Sequence, residues 1–258
     1  MNLGLQDKVA MVVAASKGIG LATAQELARE GCRVSICARN RDALDAALAT
    51  LPGGMGCLAD VARIEDLERW FSETKQQLGA ADILVTNTGG PPVGLVGALD
   101  DAQWRQGVDS TLMNVVRMVR LAAPDMITRG WGRIVHVTSL VAKEPNPMLA
   151  ISSTLRAGLM ALTRLQATEL APHGVTVNGV LPGHTLTDRQ RELAEVTAKA
   201  QGITVERSLE LRAESVPMKR LADAHEIAAA IAFLSSTRAS YVTGVNLLVD
   251  GGLTRGPG

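Results

Sequence analysis

An α/β fold, a doubly wound parallel sheet with helices on both faces, follows from two features of the sequence. Short runs of Val, Ile and Leu without polar alternation recur along the chain, as strands buried on both faces require. Between them lie longer stretches with apolar residues at helical spacing, so strand and helix alternate. That alternation implies right-handed crossovers. The 258 residues contain no linker and no break in composition. Residues 1–258 therefore read as one domain, although chain length alone would allow two at roughly 150 residues each.

The elements are expected in this order. Lys8–Ala14 forms the first strand and Gly18–Glu30 the first helix. Arg33–Ala38, Arg41–Leu51 and a weaker Met55–Leu58 continue the pattern as strand, helix and strand. Ile64–Leu78 is helical, Ile83–Thr86 a strand, and Pro91–Gly97, with two prolines and two glycines, a loop. Asp101–Arg129 reads as one long helix before the strand Arg133–Thr138. The helix Ser152–Ala171 is ended by Pro172, which lacks the amide proton a helix needs. Thr176–Leu181 and Asn246–Val249 are strands, and Ala224–Leu234 is a helix capped by Asp223 or Ala222. Leu253–Gly258 reads as a short tail.

One stretch exceeds the minimal pattern. Residues 185–215 are charged and helical in period, and they lie between a strand and Pro217. An insertion after the C-terminal end of a parallel strand overhangs the place where such sheets bind ligands. A substrate lid is the preferred reading, with a surface helix as the alternative. Leu186, Leu193, Val196, Ile203 and Val205 give it an apolar-to-mixed lining, unless they pack on the body.

Charge and composition narrow the partners. Lys and Arg number 26, as do Asp and Glu, so the basic excess of a nucleic-acid or anionic-membrane binder is absent. No run approaches the ~20 apolar residues of a membrane span; Val9–Ala15 is short, and no cleavage site follows it. Cys32, Cys37 and Cys57 are too irregularly spaced for a disulfide framework or a zinc site. They read as buried thiols in a reducing compartment, and a cytoplasmic location is expected. His136, His173, His184 and His225 lack metal-ligand spacing, so no metal site is expected.

The first strand runs into Ala14-Ala15-Ser16-Lys17-Gly18-Ile19-Gly20 and then directly into a helix. A glycine turn at a helix N-terminus is an anion site, because free N–H groups and the positive helix end face the ligand. This segment resembles the T-G-x-x-x-G-x-G turn of the short-chain dehydrogenases/reductases. Val13 and Ala14 stand where that family has Thr and Gly, and Ala14 is expected to keep φ below zero. The resemblance continues through Asp60-Val61, Thr86-Asn87-Thr88-Gly89, Ser139, Asn178-Gly179-Val180-Leu181-Pro182-Gly183, Gly244 and Asp250-Gly251-Gly252. It implies a Rossmann-like NAD(P) domain. Its coenzyme contacts would be Ser16, Lys17, Gly18, Ile19, Gly20, Arg39, Asp60, Val61, Asn87, Gly89, Arg156, Pro182 and Gly183.

The second strand ends at Ala38-Arg39-Asn40, without the acid that would bind a ribose 2′-hydroxyl. Arg39 and Lys17 offer two cations for a 2′-phosphate, so the expected coenzyme is NADP(H).

The resemblance breaks at the catalytic end. The family typically carries Asn, Ser, Tyr and Lys. Ser139 holds the Ser position, but the Tyr-x-x-x-Lys pair falls on Ser152 and Arg156, and the Asn position falls near Thr111 or Asn114. The single tyrosine, Tyr241, is near the last strand. A phenol with pKa ~10 can be tuned for proton transfer, whereas an aliphatic hydroxyl is a far weaker acid. Arg156 can bond ribose hydroxyls but does not carry protons. His184, after Pro182-Gly183, and Lys143, four residues beyond Ser139, are the candidates to replace the acid. His136 is expected to pack or bond locally within its strand.

The resemblance therefore implies an NADP-dependent oxidoreductase moving hydride between nicotinamide and a small carbonyl or alcohol substrate, 3-oxoacyl-reductase-like but with an altered tetrad. The alternative is an NADP(H)-binding scaffold without chemistry, acting as a sensor or partner subunit; isomerisation or elimination is a third option. Asp101–Arg129 and Ser152–Ala171 have wide apolar faces, which the resemblance assigns to pairing into a homodimer or homotetramer.

Overall fold

The computed structural model describes residues 2–256. In the first half of the chain, β1 (Val9–Val12), α1 (Gly18–Arg29), β2 (Arg33–Ala38), α2 (Arg41–Leu48), β3 (Met55–Leu58), α3 (Ile64–Gln77) and β4 (Ile83–Thr86) alternate as expected. α4 (Asp101–Gly107), α5 (Asn114–Arg129), β5 (Gly132–Val137), α6 (Ala150–Leu170) and β6 (Val175–Pro182) follow. The chain closes with α7 (Asp188–Gln201), α8 (Val205–Ser215), α9 (Ala224–Ser235) and β7 (Asn246–Val249).

All seven strands are parallel, in the order β3-β2-β1-β4-β5-β6-β7. Strand side chains alternate between faces, so β1 sends Ala10 and Val12 to one core and Met11 to the other. The first core receives Leu27, Leu44, Ile227 and Ile231 from α1, α2 and α9. The second receives Leu67, Trp70, Met118 and Leu159 from α3, α5 and α6. Burial on both faces explains the uninterrupted apolar runs. Strand order reverses direction between β1 and β4, and the loops leaving their C-terminal ends part there to leave a crevice.

One helix expectation needs correction. Asp101–Arg129 is not one α-helix: a π-helical turn, Val108–Met113, separates α4 from α5. Gly107, just before it, is packed so closely that a Cβ would collide with Ile151 of α6. The Asn114 side chain donates to the Ser110 carbonyl inside the widened turn. The chain is helical on both sides of the π turn, so helical spacing resumes after it and the sequence reads as one helix.

The stretch 185–215 is two helices, α7 and α8, joined at Gly202 with φ of 66°. Thr187 and Thr204 cap them through their side chains. In the tail, Arg255 N donates to Glu144 Oε1 at 2.6 Å. Asp223, not Ala222, caps α9, in a capping box with Glu226. No helix among the described residues is long and apolar enough to cross a membrane.

Candidate active site

β1 ends at Val12, and the turn that follows has a backbone unlike the one expected. Ala14 lies at φ +50°, in the left-handed region, where a glycine would be at ease. The conformation is held from both sides: its N–H points to Cys37 Sγ at 3.5 Å, and its carbonyl accepts from Asn87 Nδ2 at 3.1 Å. Gly18, at φ +58°, completes the turn. A Cβ on Gly20 would lie 2.8–2.9 Å from Asn87 Nδ2, Ala14 O and Ala15 Cα, so Gly20 serves close packing of α1 against the strand. Lys17 is the N-cap residue of α1 and offers no capping oxygen. The first-turn N–H groups are thus left for an anion.

A cleft of about 390 Å³ starts at this turn and crosses the C-terminal ends of the strands. At one end it is lined by Ser16, Lys17, Gly18, Ile19, Arg39, Asp60 and Val61, and in its middle by Asn87 and Gly89. Arg39 is exposed and forms no ion pair among the described residues. Asp60 is tied to the backbone, accepting from Ala62 N at 3.0 Å. At the other end stand Ser139, Ser152, Arg156 and Pro182. A turn with free N–H groups and an unpaired Arg39 fits a dinucleotide phosphate.

Arg156 is the unusual group. Its guanidinium is buried, with 7% of the residue exposed, and no carboxylate pairs with it among the described residues. Nε donates to Ser152 Oγ at 3.2 Å, and Nη1 donates to the carbonyls of Val137 and Thr138 at 3.1 and 2.6 Å. Burial first, and the positive charge of Arg189 second, push its pKa down to about 10. A cation held in this way supplies positive potential at a fixed place and stays protonated at neutral pH. Ser152 accepts from Arg156, which leaves its own O–H free to donate. Ser139 Oγ receives a long bond from Val141 N, 3.4 Å, so its proton is free too.

The cleft is roofed by the start of α7, which sequence reasoning placed only as a lid. Lys17 Nζ reaches Asp188 Oδ2 at 3.2 Å across the mouth. Arg189 donates to Pro91 O at 3.0 Å and pairs with Glu192 at 3.3 Å. Thr187, Asp188, Arg189, Gln190, Glu192 and Leu193 all line the cleft. Of the apolar residues expected to line it, only Leu193 does so; Leu186 and Val196 are 44% and 48% exposed. Gln106 and Ser110 were also missed. Ser110 lies in the π turn and Gln106 on the last turn of α4 before it; π turns are frequent at functional sites.

Four expected residues are not brought to the cleft. Gly20 and Gly183 act by packing; a Cβ on Gly183 would lie 2.6 Å from Asp250 Cα. His184 lines a separate, smaller pocket with Val216, Arg220 and Glu226. Burial there, followed by the charge of Arg212, lowers its pKa. Lys143 is half-buried and outside the lining. The chain turns away directly after Gly183, so adjacency in sequence did not translate into adjacency in space. Thr111, inside the π turn, and Asn114, just after it, are wholly buried, and their neighbour Ser110 lines the cleft. His136 bonds Thr86 Oγ1 at 2.8 Å and Gln166 Oε1 at 2.9 Å. Burial drives its pKa down to about 4. Tyr241 is fully exposed and is not among the residues lining the cleft.

A parallel sheet ordered 3-2-1-4-5-6-7 with a glycine turn after β1 defines a Rossmann-like nucleotide-binding protein. Comparison with known proteins makes this specific. The family described as enoyl-(acyl carrier protein) reductase matches residues 13–254. The 3-oxoacyl-(acyl-carrier-protein) reductase of Staphylococcus epidermidis is 31% identical over 252 residues, covering 96% of this chain and 99% of the relative. Human dehydrogenase/reductase SDR family member 4 is 33% identical, covering 96% and 88%. The L-sorbose reductase of Gluconobacter frateurii, solved with NADPH and L-sorbose, superposes with a TM-score of 0.94 at 33% identity, each chain covered completely. The chain belongs to the short-chain dehydrogenase/reductase family, and its relatives are oxidoreductases.

Proposed function

We propose that the protein is an NADP-dependent reductase or dehydrogenase acting on a small carbonyl or alcohol, with Ser139, Ser152 and Arg156 as its polar machinery. The observation that carries this reading is one continuous cleft joining the uncapped α1 turn and Arg39 to two free hydroxyls and a buried cation. NADPH, when bound, supplies hydride. Ser16, Lys17, Gly18, Ile19 and Arg39 would hold its phosphates, and Asp60, Val61, Asn87 and Gly89 the remainder. In the reducing direction the carbonyl oxygen gains negative charge. Ser139 donates to it, and Arg156 stabilises it electrostatically. The proton comes from water through the Ser152 hydroxyl, which returns to its starting state.

The absence of any phenol or imidazole in the cleft lining favours a second reading, a coenzyme-binding scaffold that senses NADP(H) without chemistry. Thermal shift with NADPH against NADH, followed by NADPH oxidation over ketones, aldehydes and oxoacyl thioesters, separates the two. Turnover that Ser139→Ala removes supports the enzyme. A stabilising shift without turnover of any substrate supports the scaffold.

We also place the protein in the cytoplasm, since its three buried cysteines are free thiols, and assign it a homo-oligomeric, tetrameric state. Support comes from α6, whose outer face carries Ala157, Gly158, Ala161 and Leu165, the last 67% exposed. Light scattering should show a multimer, and Leu165→Arg should lower its mass.

A further inference from the structure

The lid end of the cleft has donors with nothing to donate to. Gln190 is only 7% exposed and lines the cleft, yet neither end of its amide bonds any described residue. Its Nε2 is fully enclosed and unpaired. Buried amides in folded proteins find partners, so an orphan at a ligand cleft points to a ligand. Oε1 is likewise unbonded but not enclosed, so it is the end of the amide open to the cleft, and exchanging oxygen and nitrogen by a flip places the NH2 at that open end.

Two cations line the same cleft as this amide. Arg189, one residue earlier on α7, is tethered to Pro91 O, and its Nε passes 3.2 Å from where a Cβ on Gly90 would lie. Arg156 Nη2 has no partner among the described residues and is not enclosed, so it opens on solvent or cleft. Arg189 is near enough for its charge to act on Arg156. Against them stands Glu192, 54% exposed and paired to Arg189. The next carboxylate of the lid, Asp188, is engaged by Lys17. This end of the cleft therefore carries an excess of positive charge and an idle amide.

We propose that it is an anion subsite in which Gln190 and Arg189 receive a carboxylate of the substrate, so that oxo acids and hydroxy acids are preferred over neutral ketones and alcohols. A planar carboxylate suits the pair, because its two oxygens accept from an amide and a guanidinium at once. The assignment rests on the hydride-transfer reading of the same cleft and names the substrate class for it.

The test is calorimetric and independent of turnover. The full chain, with and without saturating NADP⁺, is titrated with 2-oxohexanoate, 4-oxohexanoate and 5-oxohexanoate, and with the methyl ester of each. At least one acid should bind about tenfold or more tightly than its ester. In Gln190→Leu that preference should shrink at least about threefold, while the melting temperature holds or rises, because an unpaired buried amide has been replaced by an apolar group of similar size. Acids that bind no better than their esters, or do not bind, overturn the subsite. So does a Gln190→Leu protein that melts earlier and keeps the preference, since Gln190 would then be structural. A protein that shows no shift with NADPH defeats the hydride-transfer reading, whereas the acid–ester difference in coenzyme-free protein still decides the subsite.

Discussion

The two ends of the cleft obey different rules. At the α1 end, recognition is built from backbone: a turn, a helix terminus and N–H groups, with Lys17 and Arg39 at the solvent edge. Such a site tolerates Ala14 in place of glycine, because the groups that meet an anion are main-chain atoms. At the α6 end, the proposed chemistry depends on single side chains, and there Ser152 and Arg156 fall where the family resemblance expects a tyrosine and a lysine. Arg156 spends two of its nitrogens on Ser152 and the carbonyls of Val137 and Thr138. Phosphate binding follows from fold geometry, whereas proton transfer follows from residue identity and is the easier property to alter.

The sharpest way to break this contrast is Ser139→Ala. Removing one donor to a developing oxyanion costs about 10²–10³ in rate, ~3–4 kcal/mol. We expect kcat/KM for the best substrate to fall by that factor while NADPH affinity stays within about twofold. Equal losses in both would mean that the two ends are one structural unit.

Acid tests the same division through stability. His136 lies in β5 beneath the α6 end and bonds Gln166 of that helix. Its pKa is about 4 in the folded protein against 6.5 for the free group. Unfolded chains therefore bind its proton first as pH falls, and stability drops from about pH 6.5 until the folded form also protonates near pH 4. The difference of 2.5 units corresponds to about 3 kcal/mol. Urea midpoints at pH 7.5, 5.5 and 4.5 should decline, and His136→Gln should flatten the decline. An unchanged slope in that variant would remove His136 as its cause.

At the opposite end, Arg39→Ala should weaken NADPH binding about tenfold and leave NADH binding unaltered, as measured by calorimetry. A loss shared by both coenzymes would place Arg39 on the adenine and not on a 2′-phosphate. Raised salt should weaken NADPH more than NADH for the same reason, because exposed charges are screened.

How far the sequence spoke also differs between regions. Arg33–Ala38 and Ile83–Thr86 coincide with β2 and β4, because strands covered on both faces need continuous apolar residues, and Met55–Leu58 and Asn246–Val249 coincide with the half-buried edge strands β3 and β7. The glycine turn was readable for a similar reason, since its backbone demands constrain residue type. The catalytic end was readable only as a loss: one tyrosine, in the wrong place. What replaced it was not. His184 follows Gly183 directly, but the direction of a side chain leaving a strand end is set by tertiary contacts. Gln190 carried a faint signal, as it sits three residues after the Thr187 cap and so on the first turn of α7. Its lack of a partner is a fact of three dimensions. The π turn at Val108–Met113 was not read because α-helix precedes and follows it, so apolar residues at helical spacing occur on both sides.

The smallest effect concerns Ala14. Holding an alanine at φ +50° costs roughly 1–2 kcal/mol. Glycine removes that cost but gains about 0.4–1 kcal/mol of chain entropy in the unfolded state. It also gives up a methyl group that packs against the core formed with α3, α5 and α6. The net stabilisation of Ala14→Gly is thus about 0.5 kcal/mol, or ~1–2 °C in melting temperature for a chain of this size. NADPH affinity should hold or rise, since the methyl group lies on the cleft wall. A melting temperature lowered by several degrees would show that the methyl packing outweighs the strain. The left-handed alanine would then be a supported feature of this turn, and the coenzyme end would owe more to its side chains than its backbone geometry implies.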